Sequence, residues 1–176
     1  MYDKQGMRAG AAESVAMHGG PVVVQCFAPD GTLKWEVIEP KNLVVNVGLR
    51  WMLDVLLGGS TAVATWYVGL VATGGTIASA DTMSSHAGWT ELTGYTGNRA
   101  EYVDVRTLQT VSNSASAATF GINTAQSVAG ALITSNNTKG GSAGLLLCAV
   151  AFTGGDRAAA DGDTINVTYT FSAADA

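Results

Sequence analysis

A mainly β fold, a jelly-roll-like antiparallel β-sandwich with one short helix and one long ordered aromatic loop, is what the sequence predicts. Short apolar runs recur along the chain between clusters of Gly, Asn, Asp and Ser, with turn signals roughly every ten residues in the second half. Only one segment has helical spacing, against about eight that read as strands. Composition agrees: among 176 residues there are 22 Gly, 47% are hydrophobic and 13% are charged. That charged share is about half of the usual ~25%, as expected of a turn-rich β protein with a neutral, hydroxyl-bearing surface.

The length suffices for one sizeable core. The reading divides the chain into a flexible N-terminal arm, residues 1–20, and a single domain, 21–176. The arm carries Gly, Ala and mixed charges with no period. It lacks an apolar central run, so it is not expected to be a signal peptide.

From Pro21 the pattern changes. Val22–Phe27 and Leu33–Val37 flank Ala28-Pro29-Asp30-Gly31-Thr32, where Asp-Gly supplies a hairpin turn. In the second strand Leu33, Trp35 and Val37 should face inward, with Lys34 and Glu36 outward. Glu39-Pro40-Lys41 breaks the strand. Asn46 is then placed to cap a helix over 47–57, whose Leu49, Met52, Leu53 and Leu56 fall at i, i+3, i+4 and i+7. That stripe is expected to lie against the sheet, with Gly58-Gly59 as the stop.

Residues 64–106 form the stretch around which the chain is organised. Trp66-Tyr67-Val68-Gly69-Leu70-Val71 reads as a buried strand, with Gly69 marking a bulge or a close backbone approach. Ser79 or Asp81 should cap a single helical turn at 79–83. In Trp89-Thr90-Glu91-Leu92-Thr93-Gly94-Tyr95 and the following Arg99, the aromatics supply buried area while Glu91 and Arg99 can pair across the loop. A loop this long should be ordered by its own packing.

Ala100–Leu108 then reads as a strand and Ser112-Asn113-Ser114 as a turn. Strands follow at Thr119–Ile122 and Val128–Ile133, and the turn-rich Ser135–Ser142 should project into solvent. Gly144–Phe152 is continuously apolar, as for a central strand covered on both faces. In the last strand, Thr164–Phe171, Ile165, Val167, Tyr169 and Phe171 alternate with polar residues and should face the core.

The net charge is −5, and the nine Lys and Arg are scattered singly. No basic stripe marks a nucleic-acid footprint, and no apolar run reaches transmembrane length. Cys26 and Cys148 sit in apolar runs without a second ligand nearby, and are expected to be buried free thiols. Ser84-Ser85-His86 sets hydroxyls beside an imidazole, but neighbours in sequence rarely align as nucleophile and base, and no G-x-S-x-G elbow surrounds them. Asp161-Gly162-Asp163 lacks the further oxygen ligands of a calcium loop and reads as a turn. Lys139-Gly140-Gly141-Ser142 lacks the first glycine of a phosphate loop. Glu91 with Asp81 or Glu101 has no spacing that selects a catalytic carboxylate pair. The expectation is a protein that is not an enzyme and has no cofactor and no metal.

One resemblance extends the reading. The hairpin with Asp30-Gly31, Asn42-Leu43-Val44, Gly48-Leu49 and Trp66-Tyr67-Val68-Gly69-Leu70 match it in the first half. Ala80-Asp81-Thr82-Met83, the spacing W-x-E-x-x-x-Y-x-x-x-R of Trp89, Glu91, Tyr95 and Arg99, and Gly162–Val167 follow. Over residues 21–171 this order of features resembles a family of virion structural proteins of tailed bacteriophages, described as capsid decoration (cement) or head-fibre proteins. The resemblance implies a β-domain made in the host bacterial cytoplasm and located on the capsid exterior. Its partners would be the major capsid protein and itself, most simply as a homotrimer, with no nucleic acid or membrane. The other class it allows is a fibre or tail module that binds a host glycan or receptor through the aromatic loop. Trp66, Tyr67, Asp81, Trp89, Glu91, Tyr95 and Arg99 are the candidate structural or interaction residues.

Overall fold

The computed structural model describes residues 15–73 and 75–175. The chain opens with β1 (Val15–Phe27), β2 (Leu33–Glu39) and β3 (Leu43–Val44), then the one helix among the described residues, α1 (Asn46–Leu57). Around the aromatic loop come β4 (Tyr67–Val71), β5 (Glu91–Leu92), β6 (Ala100–Glu101) and β7 (Val105–Thr107). Next are β8 (Thr110–Ser112), β9 (Ala118–Gly121), β10 (Gln126–Val128) and β11 (Gly130–Thr134). Last are β12 (Leu146–Ala151), β13 (Arg157–Ala159) and β14 (Thr164–Asp175).

One sheet has the order β2-β1-β14-β8-β7, with β9 also on β14; the other has β3-β12-β11-β4-β5, with β6 also on β4. A two-stranded β10-β13 ribbon stands beside them. Their pairings are antiparallel, so the mainly β, sandwich-like expectation holds. The jelly-roll ordering stays a reading of the sequence.

Between the sheets, Val22, Val24 and Cys26 of β1 and Ile165, Val167 and Tyr169 of β14 meet Val68, Leu70, Ile133, Cys148 and Val150. A second cluster, with Leu132, Leu146, Ala149, Met83 and Trp89, covers the far face of the second sheet. This two-sided cover explains why β11 is buried at every position. It also explains the unbroken apolar run of β12, which lies between β3 and β11.

The Asp30-Gly31 hairpin forms as expected. Gly31 has φ 83°, Asp30 Oδ1 accepts from the Thr32 N–H at 2.9 Å, and Ala28 N–H donates to the Thr32 carbonyl at 2.8 Å. The strict alternation of β2 does not. Cys26 faces Trp35 while Phe27 faces Leu33, so Lys34 is an extra residue in a bulge. Leu33 is therefore exposed and Lys34 turns to Asp163.

β1 begins at Val15, before the expected domain start at Pro21; residues 1–14 lie outside the described residues. Val15–Gly19 pairs with the end of β14, and the register shifts between Gly19 and Val22. The glycines allow this fit: a Cβ on Gly20 would come 2.7 Å from the Thr170 carbonyl oxygen. Nothing in an apolar alternation marks such a segment.

Helix α1 corrects the sequence reading most. Its N-cap is Val45, with no side-chain cap, and the Asn46 N–H donates to the Ser79 carbonyl. Leu49, Leu53 and Leu56 do not face the sheet; they are 40%, 58% and 76% exposed. The inward face is Val47, Gly48, Trp51, Met52 and Val55. Gly48 decides the rotation, because a Cβ there would sit 2.4 Å from the Leu147 carbonyl oxygen. That carbonyl belongs to a bulge in β12, where Ile133 faces Cys148 and Thr134 faces Leu146, and it accepts from the Val45 N–H.

Two further segments differ. The expected strand 100–108 splits into β6 on the second sheet and β7 on the first, with Tyr102 turned into the core between them. The chain thus changes sheets within three residues, 102–104. Asn113, read as a turn residue, is fully buried: its side-chain amide donates to the Val167 carbonyl at 3.0 Å and its Oδ1 accepts from Tyr169 N–H at 2.7 Å. It satisfies β14 backbone where β8 ends and β9 has not begun.

Candidate functional site

The W-x-E-x-x-x-Y-x-x-x-R residues assemble into a brace. Glu91 lies in β5, paired to β4 opposite Val71. Its carboxylate accepts from Arg99 Nε at 2.7 Å and Arg99 Nη2 at 2.6 Å, a bidentate pair with side chains 6% and 0% exposed. Two of the three other guanidinium N–H groups reach the Asn136 carbonyl at 2.7 Å and the Gly141 carbonyl at 2.9 Å, while Gly140 N–H donates to Glu91 Oε2 at 2.8 Å. Gly69 makes room: a Cβ there would lie 3.0 Å from Glu91 Oε1, so the close approach is the right reading of that glycine, and the regular β4–β11 register has no bulge.

The same contacts correct the expectation for Ser135–Ser142, which folds back onto the brace rather than projecting freely. Lys139 closes it from above, with its ammonium donating to the Tyr95 carbonyl and lying 4.5 Å from the Tyr95 ring centroid. Tyr95 is fully buried, edge-on to Phe120 at 4.9 Å. Burial first, and the Glu91 charge second, push its phenol well above the ordinary value.

Trp89 anchors the other end. Its indole N–H donates to Asp81 Oδ2 at 2.8 Å, and the same oxygen accepts from Ala78 N–H at 2.9 Å. Asp81 therefore reaches backward to Ala78, and the segment is a pair of turns where a helical turn was expected. The His86 ring stacks on Trp89 at 3.8 Å, and its Nδ1 is 2.9 Å from the Trp89 carbonyl, to which it donates. The Ser84 hydroxyl pairs with that of Thr82, which also accepts from the Ser85 backbone N–H, and the His86 Nδ1 is taken by the Trp89 carbonyl, so no serine hydroxyl is bonded to the imidazole. An open cleft of about 320 Å³ lies between His86, Glu91, Thr93 and Gly140.

Asp81, Trp89, Glu91, Tyr95 and Arg99 are thus brought together as internal supports. Trp66 and Tyr67 are not part of them. Tyr67 is half-buried in β4, and Trp66 sits edge-on to Trp51 at 5.0 Å in a separate apolar cleft of about 170 Å³. That cleft lies between α1 and the β7–β8 hairpin, lined also by Met52, Tyr102, Val111 and Phe171. Sequence reasoning missed it because its walls come from segments far apart in the chain.

A second ionic contact, part-buried, joins β2 to the turn before β14. Asp163 Oδ2 accepts from Lys34 Nζ at 2.5 Å, Ala160 N–H at 2.7 Å and the Cys26 thiol at 3.6 Å. Burial opposes the Asp163 charge, but the Lys34, Ala160 and Cys26 donors together outweigh it and hold the carboxyl below its ordinary value. Burial, followed by the Asp163 charge, pushes Cys26 up to about 11, and burial also raises Cys148. Both thiols are buried and unpaired. Among the described residues no group of three or more His, Cys, Asp or Glu is placed to hold a metal ion, and no helix is long and apolar enough to cross a membrane. Comparison with family models, curated proteins and solved structures finds no match to this chain.

Proposed function

We propose that this protein is a structural component of a tailed-bacteriophage virion, and within that class a capsid decoration protein. It would bind the exterior of the major capsid lattice as a homotrimer and stabilise the head by bridging capsomers. The observation that supports this reading is the use of its most specific motif. Trp89, Glu91, Tyr95 and Arg99 are consumed by internal contacts that rigidify a loop, leaving a stiff domain with low surface charge. A stiff, weakly charged domain suits repeated contact with identical subunits, where many modest contacts add up.

The fibre or tail reading puts the aromatic loop against a glycan or receptor. Trp89 and Tyr95 have no free ring face to offer, so that reading would need another surface. Counting copies per purified virion is the test. Hundreds of copies on the capsid, seen as regular density by electron microscopy, agree with decoration; a handful at the tail, or none, defeats it.

A further inference from the structure

Leu108 combines two unfavourable properties. It is 95% exposed, and its φ of 53° makes it the only non-glycine residue with positive φ among the described residues. It follows Thr107 and precedes Gln109 in the two-residue turn of the β7–β8 hairpin, whose last pair is Thr107 with Thr110. Turns of this length favour Gly, Asn or Asp where φ is positive. A leucine there strains the backbone and shows an apolar side chain to water, and neither helps the fold. Such a residue is a functional lead.

At the base of the same hairpin is the apolar cleft of about 170 Å³ lined by Trp51, Met52, Trp66, Tyr102, Val111 and Phe171. A cavity of about 150 Å³ holds a benzene ring, so an isobutyl group, with four carbons, fits. The one charged lining residue is Asp104, and Arg106 Nε donates to its carboxylate at 2.8 Å. The turn Thr107–Thr110 carries no charge. Neither side therefore brings an unpaired charge into the contact.

We propose that the Leu108 tip of one copy inserts into the aromatic cleft of a second copy of this chain. Its own cleft is out of reach. Asp104 and Val111 form part of the cleft wall, and the short paired hairpin carries the tip away from it with no slack to fold back. Each copy has one tip and one cleft, so a closed symmetric assembly fills all of them. A ring such as the trimer proposed above does so by passing each tip to the next copy. The inference rests on the self-association part of that proposal and not on capsid binding.

The test uses the full chain in isolation. Leu108→Asp is expected to raise the dissociation constant of self-association by more than about tenfold, measured by sedimentation or mass photometry, with the melting temperature of the monomer unchanged. Leu108→Gly should weaken association similarly while leaving the monomer at least as stable, because it relieves the positive φ. A chain carrying Leu108→Cys, mixed with one carrying Met52→Cys and oxidised, should give an intermolecular disulfide that neither gives with wild type. A wild-type chain that stays monomeric at all concentrations overturns the proposal. So does unchanged association of both Leu108 variants, or assembly of the cysteine variants without the cross-link. Capsid binding is measured separately on virions, so its failure leaves these readouts standing.

Discussion

Arg99 shows how one side chain sets a loop. Its guanidinium, fully buried, joins Glu91 of β5 to the carbonyls of Asn136 and Gly141, and so holds two loops that have no strand pairing to each other. Removing one member leaves a buried charge without its partner, so Arg99→Ala or Glu91→Ala should each cost about 3–5 kcal/mol in chemical denaturation. The double variant Glu91→Leu with Arg99→Met should cost clearly less than the sum of the two, since no orphan charge remains. Trp89→Ala should cost a further ~3–5 kcal/mol through the cavity it leaves, with Asp81 losing its indole donor. If either single change in the pair left the denaturation midpoint where it was, the brace would not hold the loop.

At the level of elements, α1 is attached by its small and aromatic face while its leucines look out. Gly48 admits the Leu147 carbonyl, so Gly48→Ala should loosen the helix from β12 despite its better helical propensity. Loss of stability by about 1–3 kcal/mol is expected. Leu53→Ser and Leu56→Ser should change thermal stability by less than about 0.5 kcal/mol, because neither side chain is buried. A large loss from either serine would mean that the helix stands with its leucines inward. The β12 bulge is the cause of this orientation, since it turns the Leu147 carbonyl toward the helix start.

The first and last described strands close the first sheet's centre. β1 and β14 pair from Val15 with Asp175 to Phe27 with Thr164, and the Lys34–Asp163 contact pins the first hairpin to the turn before β14. The folded-state pKa of Asp163 is lowered, so between that value and the ordinary ~3.9 the unfolded chain binds more protons. Its stabilisation is complete above about pH 4 and is lost as pH falls through the folded value. Lys34 is raised, chiefly by its hydrogen bond to Asp163, so its share is present below the ordinary ~10.4 and lost as pH rises through the folded value. Lys34→Met should flatten the acid limb of the melting temperature against pH relative to wild type. An unchanged acid limb would remove the contact from the account of stability.

Local chemistry decided much of this protein in advance. The Asp30-Gly31 turn, the alternation of Ile165, Val167 and Tyr169, the two-sided burial of β12, the pairing of Glu91 with Arg99 and the buried thiols all follow from neighbours in sequence or a short spacing. What required the tertiary structure depends on backbone from distant segments. The helix face was chosen by a carbonyl nearly a hundred positions away, which no periodicity of Leu49, Leu53 and Leu56 reports. Lys34 was turned by a bulge in its strand pairing, and Asn113 was buried because β14 needed partners between β8 and β9. The apolar cleft and the strained Leu108 beside it arise where α1 and a sheet-changing segment converge. Their function depends on that convergence, because a hydrophobic periodicity records how much apolar surface an element carries and not which other segment arrives to cover it.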